Sequence, residues 1–241
     1  MSIGPARQQT GGRVLGFALP GVAYDDDIAV QSFARHLTAT VEAAGGDGQV
    51  IVAGMRAFLE GKPGLLPDPP WSAPPSTGYR AVELLAGAAG CSHDDIDRAR
   101  LASRLDLAGS AWILDPADGL ADLLDRAECR ARVVALADRT DPATGPVLDA
   151  LELSGRLEVV GDTDLARSLG GGPALLIDTA WVPRLADAHA AGHTTALIDR
   201  FGTGDGRPDV RARALRGLLP DLTAWLDTPT GDGADREGAV P

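Results

Sequence analysis

Asp25, Asp26 and Asp27 stand in a row shortly after Pro20-Gly21, and a carboxylate cluster at that place could reach a cation. Asp178 follows the apolar run Ala174–Ile177 and offers a further carboxylate at the end of a strand. Oxygen donors of this kind suit a hard cation such as Mg²⁺. Each also has a plainer reading. Three aspartates suit the positive start of a helix beginning at Ile28, and Asp178 could bond only to its own turn. His189 and His193 are the only close histidine pair, but Gly192 between them should end the helix they would share.

The element that must position these groups is a first core strand over Val14–Leu19, running into the Pro-Gly turn. In an open α/β sheet, ligands bind at the C-terminal ends of such strands. Here Ala18 and Pro20 occupy the tip, and neither can act as nucleophile, acid, base or metal ligand. Further apolar runs at Arg132–Ala137, Leu157–Val160, Ala174–Ile177 and Thr194–Ile198 read as buried parallel strands. They alternate with helices expected over Ala117–Ala127, Thr144–Leu153, Asp164–Leu169 and Val182–Ala191. A last helical piece is expected near Val210–Leu218, with Leu219–Leu226 packing Trp225 back. This alternation predicts an α/β fold with a Rossmann-like parallel sheet flanked by helices.

Residues 28–108 carry helical periodicity without a strand. Helices are expected at Ile28–Ala44, Val50–Leu59 and Tyr79–Ala89, and from a capping box at Ser92 to about Leu107. They read as a mainly helical cap inserted into a core made of 13–27 and 109–226. Residues 61–78 hold six prolines and form a loop, with Trp71 either anchoring a lid or pinning the loop to the core. Residues 1–12 are expected to be a flexible tail and 227–241 a disordered one.

The chain has 241 residues and a net charge of -12, which disfavours nucleic acid and anionic membranes. Of its 22 basic residues only Lys62 is a lysine, so nearly all positive charge is arginine. Cys91 and Cys129 lie far apart in sequence and read as small buried thiols, with a disulfide as the alternative. There is no apolar N-terminal leader and no apolar run near ~18 residues, so a cytoplasmic protein is expected. The chain has no G-x-G-x-x-G after the first strand, no phosphate-loop motif and no G-x-S-x-G.

The arrangement resembles the haloacid dehalogenase (HAD) superfamily with a helical cap, over roughly Arg13–Leu226. Phe17-Ala18-Leu19-Pro20-Gly21-Val22 stands where that family carries F-D-x-D-G-[TV], and Asp25 where many members have a further Asp. Trp112–Ala137 is similar to the segment leading to the second motif, and Leu148–Val160 to the stretch after it. Leu175–Asp178 with Ala190-Ala191-Gly192 is similar to the fourth motif. The resemblance implies a hydrolase whose first Asp attacks phosphorus, whose second moves a proton, and whose carboxylates hold Mg²⁺. Those places are taken by Ala18 and Pro20, and Ala137 stands where a Ser or Thr would bind phosphoryl oxygens. Arg156 and Arg167 are the nearest cations to the place of the third-motif lysine. Only Asp178 remains, so Mg²⁺ lacks a full ligand set. The expectation is a HAD-like protein without that catalysis, binding a small molecule or a protein partner in a core–cap cleft. Asp25, Asp26, Asp138, Thr140 and Trp71 are the candidate binding residues, and Asp178 the candidate metal residue. Two alternatives stand beside it. One is a Mg²⁺-dependent phosphate-ester hydrolase using Asp25 or Asp26 with Asp178. The other is a structural subunit.

Overall fold

The computed structural model describes residues 12–61 and 70–229. Most of both expected tails, and the centre of the proline stretch, lie outside the described residues. Asp227 does not begin a tail, because it is the last residue of a helix.

Among the described residues six parallel strands form one sheet in the order β3-β2-β1-β4-β5-β6. They are β1 (Val14–Ala18), β2 (Arg132–Leu136), β3 (Glu158–Val160), β4 (Ala174–Asp178), β5 (Thr194–Ile198) and β6 (Val210–Ala212). All five residues of β1 are buried, as a strand covered on both faces requires. The register sets Ala18 beside Leu136 and Phe17 beside Ile177, so the C-terminal ends of β1, β2 and β4 meet at one edge.

Side chains alternate across the sheet with period two. Leu15, Phe17, Ala135, Leu175 and Ile177 enter one core layer. That layer is covered by α5 (Leu120–Ala127), α6 (Thr144–Ala150) and α9 (Leu215–Asp227). Val14, Val134, Leu136, Leu176 and Leu197 enter the opposite layer, under α7 (Asp162–Leu169) and α8 (Pro183–Ala190).

Residues 210–212 depart from the expected helix. They form β6, which pairs with β5, and α9 starts only at Leu215. A three-residue stretch carries too little periodicity to declare itself, and the open edge of β5 supplies hydrogen-bond partners that a short helix would lack. The cysteines also depart from expectation. Both are free thiols, but Cys129 is exposed and Cys91 half-buried.

Among the described residues between β1 and β2, ahead of α5, lie four helices, α1 (Asp27–Ala43), α2 (Gln49–Leu59), α3 (Gly78–Ala88) and α4 (His93–Ser110), followed by a 3₁₀ turn at Ala111–Ile113. This insertion has its own core of Phe33, Leu37, Ile51, Val82 and neighbours. The capping box at α4 forms as read, with Ser92 Oγ accepting from the Asp95 N–H at 3.2 Å and Asp95 accepting from the Ser92 N–H at 2.9 Å. Among the described residues no helix is long and apolar enough to cross a membrane.

Candidate ligand cleft

The turn after β1 is built on Gly21, whose φ of +71° is a conformation that side-chain-bearing residues rarely adopt. A Cβ there would also lie 2.6 Å from the Thr179 methyl, so glycine lets the turns after β1 and β4 approach closely. Beyond that approach a cleft of about 310 Å³ opens between the sheet edge and the insertion. Its floor is Gly21 and Thr179, and Tyr24, Asp25 and Asp26 form one wall. Arg200 and Phe201 follow β5, and Arg213 and Leu215 follow β6. Ser76, Thr77 and Gly78 of the insertion close it from above.

Asp26 and Asp25 therefore face the cleft. Asp25 accepts the Asp27 N–H at 3.0 Å, so part of the acidic run caps α1. Asp26 makes no such capping bond. Burial, then the neighbouring Asp27 and Asp25 charges, push its pKa up to about 6, against the pull of Arg200. Arg200 holds Asp27 through two bonds, 2.7 Å and 2.8 Å, and reaches Asp25 at 3.3 Å. This ties the loop after β5 to the first turn of the insertion. Phe201 extends the tie by packing on Phe58 of α2 at 4.3 Å between ring centres.

Asp178 does not share this cleft. It is 3% exposed, with Oδ1 accepting the Thr179 N–H at 2.7 Å and Oδ2 accepting from Arg184 Nε at 2.8 Å. A second Arg184 nitrogen lies 2.6 Å from the same oxygen, and Arg184 also reaches Asp162 at 3.1 Å. Burial pushes the Asp178 pKa upward, while Arg184 and the Thr179 N–H pull against it. Ala18 is 3% exposed and packed into the core, and Pro20 is half-buried. These residues do not fit Mg²⁺: one side chain brings no ligand, a proline stands two residues on, and both oxygens of the remaining carboxylate are engaged.

The other candidate residues lie elsewhere. Asp138 and Thr140 are exposed, and Asp138 accepts both the N–H and the hydroxyl of Thr140 at 2.7 Å. Trp71 packs edge-on against Phe58 at 6.2 Å and so fastens its loop to the insertion's core. Ala137 is half-buried and lies away from the cleft.

With the sheet and the helices between β1 and β2 described, the fold can be compared with solved structures. A HAD-superfamily hydrolase of subfamily IA from Geobacter sulfurreducens is 18% identical, with a TM-score of 0.52 over 90% of this chain and 100% of its own. This is the HAD fold. A hydrolase from Pseudomonas syringae gives 0.56 at 16% identity, over 88% of this chain and 98% of its own. The CbbY protein of Rhodobacter sphaeroides, solved with phosphate, gives 0.52 at 16%, over 87% and 96%. No family model matches the chain, and no curated protein does. At these identities the likeness is to the HAD fold alone.

Sequence reading of the HAD-like site missed Tyr24, Arg184, Arg200 and Arg213. Tyr24 was legible as a residue of the turn, but nothing marked its burial. The arginines were hidden because nearly every cation in the chain is an arginine, so no one of them stood out by type.

Proposed function

We propose that this protein is a non-catalytic HAD-like binding protein, with the helical insertion serving as a cap over a small polar ligand. The observation that carries the reading is the state of the three acidic positions the fold uses for catalysis. Ala18 and Pro20 replace two carboxylates, and the third, Asp178, is engaged by Arg184 and the Thr179 N–H. Losing a nucleophile alone costs on the order of 10⁶ in rate in a well-studied hydrolase. The cleft supports binding: its volume falls at the lower end of the range for small-molecule sites. Asp25, Asp26 and Arg213 line it together with Phe201 and Leu215, so it offers both signs of charge and apolar contact. A ligand with both a cationic or hydroxyl group and an anionic group matches that wall pattern.

The test is a Mg²⁺-supplemented screen of phosphate esters against the wild type and Asp178→Ala. No turnover above the Asp178→Ala background is expected. Turnover of about 1 s⁻¹ or faster, the ordinary enzyme range, abolished by Asp178→Ala, overturns the proposal.

One observation favours a second reading, a Mg²⁺-dependent hydrolase. Asp25, Asp26 and Asp27 can bring one oxygen each to within 4.8 Å of one another. Arg200 already engages two of the three, which supports a latch rather than a metal centre. Calorimetric titration with Mg²⁺ decides between them. Binding heat lost in Asp26→Asn supports the hydrolase, and no heat supports the latch.

A further inference from the structure

The charged groups that line the cleft are not all paired. Asp118 accepts from Arg216 at 2.7 Å, and Arg200 bonds to Asp27 and reaches Asp25. Asp26 and Arg213 line the same cleft, and their side chains make no hydrogen bond or ion pair with any other described residue, nor with each other. Other carboxylates at this edge of the sheet are met. Asp199 accepts the Thr203 and Gly204 N–H groups at 2.9 Å and 3.1 Å and Arg211 at 2.7 Å, and Asp178 has Arg184. The Asp26 carboxylate is turned to the floor of the cleft, where a Cβ on Gly21 would lie 3.7 Å from its Oδ1. Tyr24 lines the cleft as well. It is 1% exposed, and its hydroxyl is buried without a hydrogen-bond partner. Arg104 lies near that hydroxyl but closes no bond of normal geometry on it, being held by Asp141 at 2.7 Å. Native structures rarely leave a buried polar atom unmet, and a ligand that belongs there is one reason they do.

We infer that the cleft takes a small aminocarboxylic acid, its ammonium on Asp26 and the Tyr24 hydroxyl and its carboxylate on Arg213. This deepens the binding reading above and rests on it. The two unpaired charges are opposite in sign and do not neutralise each other. A ligand with one charge would leave the other unmet, and a neutral ligand would leave both. An ammonium suits Asp26 better than a hydroxyl does, because a partly desolvated carboxylate gains more from a charged donor than from a neutral one. It also carries three N–H donors, enough for the carboxylate and the phenol oxygen together. A carboxylate suits Arg213, whose planar guanidinium can offer two parallel N–H bonds. Arg200 does not compete for it, being committed to Asp27 and Asp25. Phe201 and Leu215 offer apolar surface to the carbon chain between the two charged groups. A simple anion would enter beside Asp25 and Asp26 with no ammonium to offset them.

Titration of the full chain with glycine, 3-aminopropanoate, 4-aminobutyrate and 6-aminohexanoate tests it, read by calorimetry and saturation-transfer NMR. The series varies the distance between the two charges, and n-butylamine and butyrate carry one charge each. At least one zwitterion is expected to bind with a Kd of about 1 mM or tighter, and both single-charge analogues at least about tenfold more weakly. Asp26→Asn and Arg213→Met are each expected to weaken the best zwitterion at least about tenfold. Tyr24→Phe is expected to weaken it about threefold without lowering the unfolding midpoint, since that hydroxyl bonds to nothing in the free protein. Circular dichroism confirms that each variant is folded. Zwitterions that give neither heat nor NMR signal up to about 20 mM, far beyond the Kd expected, overturn the inference. So does a single-charge analogue that binds as tightly, or binding that survives in both Asp26→Asn and Arg213→Met. The phosphate-ester screen reads the underlying proposal separately. Turnover there sinks the non-catalytic reading whatever the zwitterions do, whereas silence there and in the titration sinks the aminocarboxylic acid alone.

Discussion

Asp178 and Arg184 form a nearly closed pair, the aspartate side chain 5% exposed and the arginine side chain 22% exposed. Removing one partner leaves a buried charge without compensation, so Arg184→Leu is expected to cost about 3 kcal/mol in urea unfolding. The double variant Asp178→Asn, Arg184→Leu should recover much of that loss, because it removes the stranded charge as well. Asp26 behaves in the opposite sense. Its pKa of about 6 lies above that of an unfolded chain's aspartate, so the folded state holds the proton more tightly. Stability from this group is therefore fully present below about pH 4 and is lost as pH rises through about 6. Asp26→Asn should then stabilise the protein by about 2 kcal/mol at neutral pH and by little at pH 4, measured by denaturant midpoints at the two conditions. At this scale the residues at the tip of β1 are legible in the sequence, because Ala18 and Pro20 are identities that need no structure to read. The pairings are not, since Arg184 chooses Asp178 and Arg200 chooses Asp27 through the packing of distant segments.

Elements are legible in the sequence wherever a local signal exists. The Ser92 capping box is one, and it closes two otherwise unpaired N–H groups at an exposed helix start. Ser92→Ala is expected to cost about 1 kcal/mol, seen as a lower unfolding midpoint with an unchanged denaturant slope. The buried strands were legible because parallel strands covered on both faces are short unbroken apolar runs. Strand β6 was not, because Val210–Ala212 takes its conformation from the edge of β5 rather than from its own pattern. The cleft belongs to this same class. Its walls come from turns after β1, β4, β5 and β6 together with the start of α3, and only the strand order brings them together.

Across the whole molecule, the insertion and the sheet have separate apolar cores but share contacts. Tyr79 packs against both, and Phe58 of the insertion stacks on Phe201 of the sheet side. Two cores joined this way should melt together. Calorimetry is expected to give one transition with equal calorimetric and van't Hoff enthalpies. Phe58→Ala should lower its stability by about 3 kcal/mol. A second, earlier transition in Phe58→Ala alone would locate the coupling in that aromatic contact. The pairing of Arg184 with Asp178 and Asp162 bears on the molecule as a whole in another way. A guanidinium is encoded and arrives with the chain, whereas a metal must be acquired after synthesis. With a guanidinium as its counter-ion, the Asp178 turn is expected to keep its stability when a chelator is added, read as an unchanged unfolding midpoint. For the same reason, aspartates introduced at positions 18 and 20 would leave the Asp178 carboxylate still engaged by Arg184.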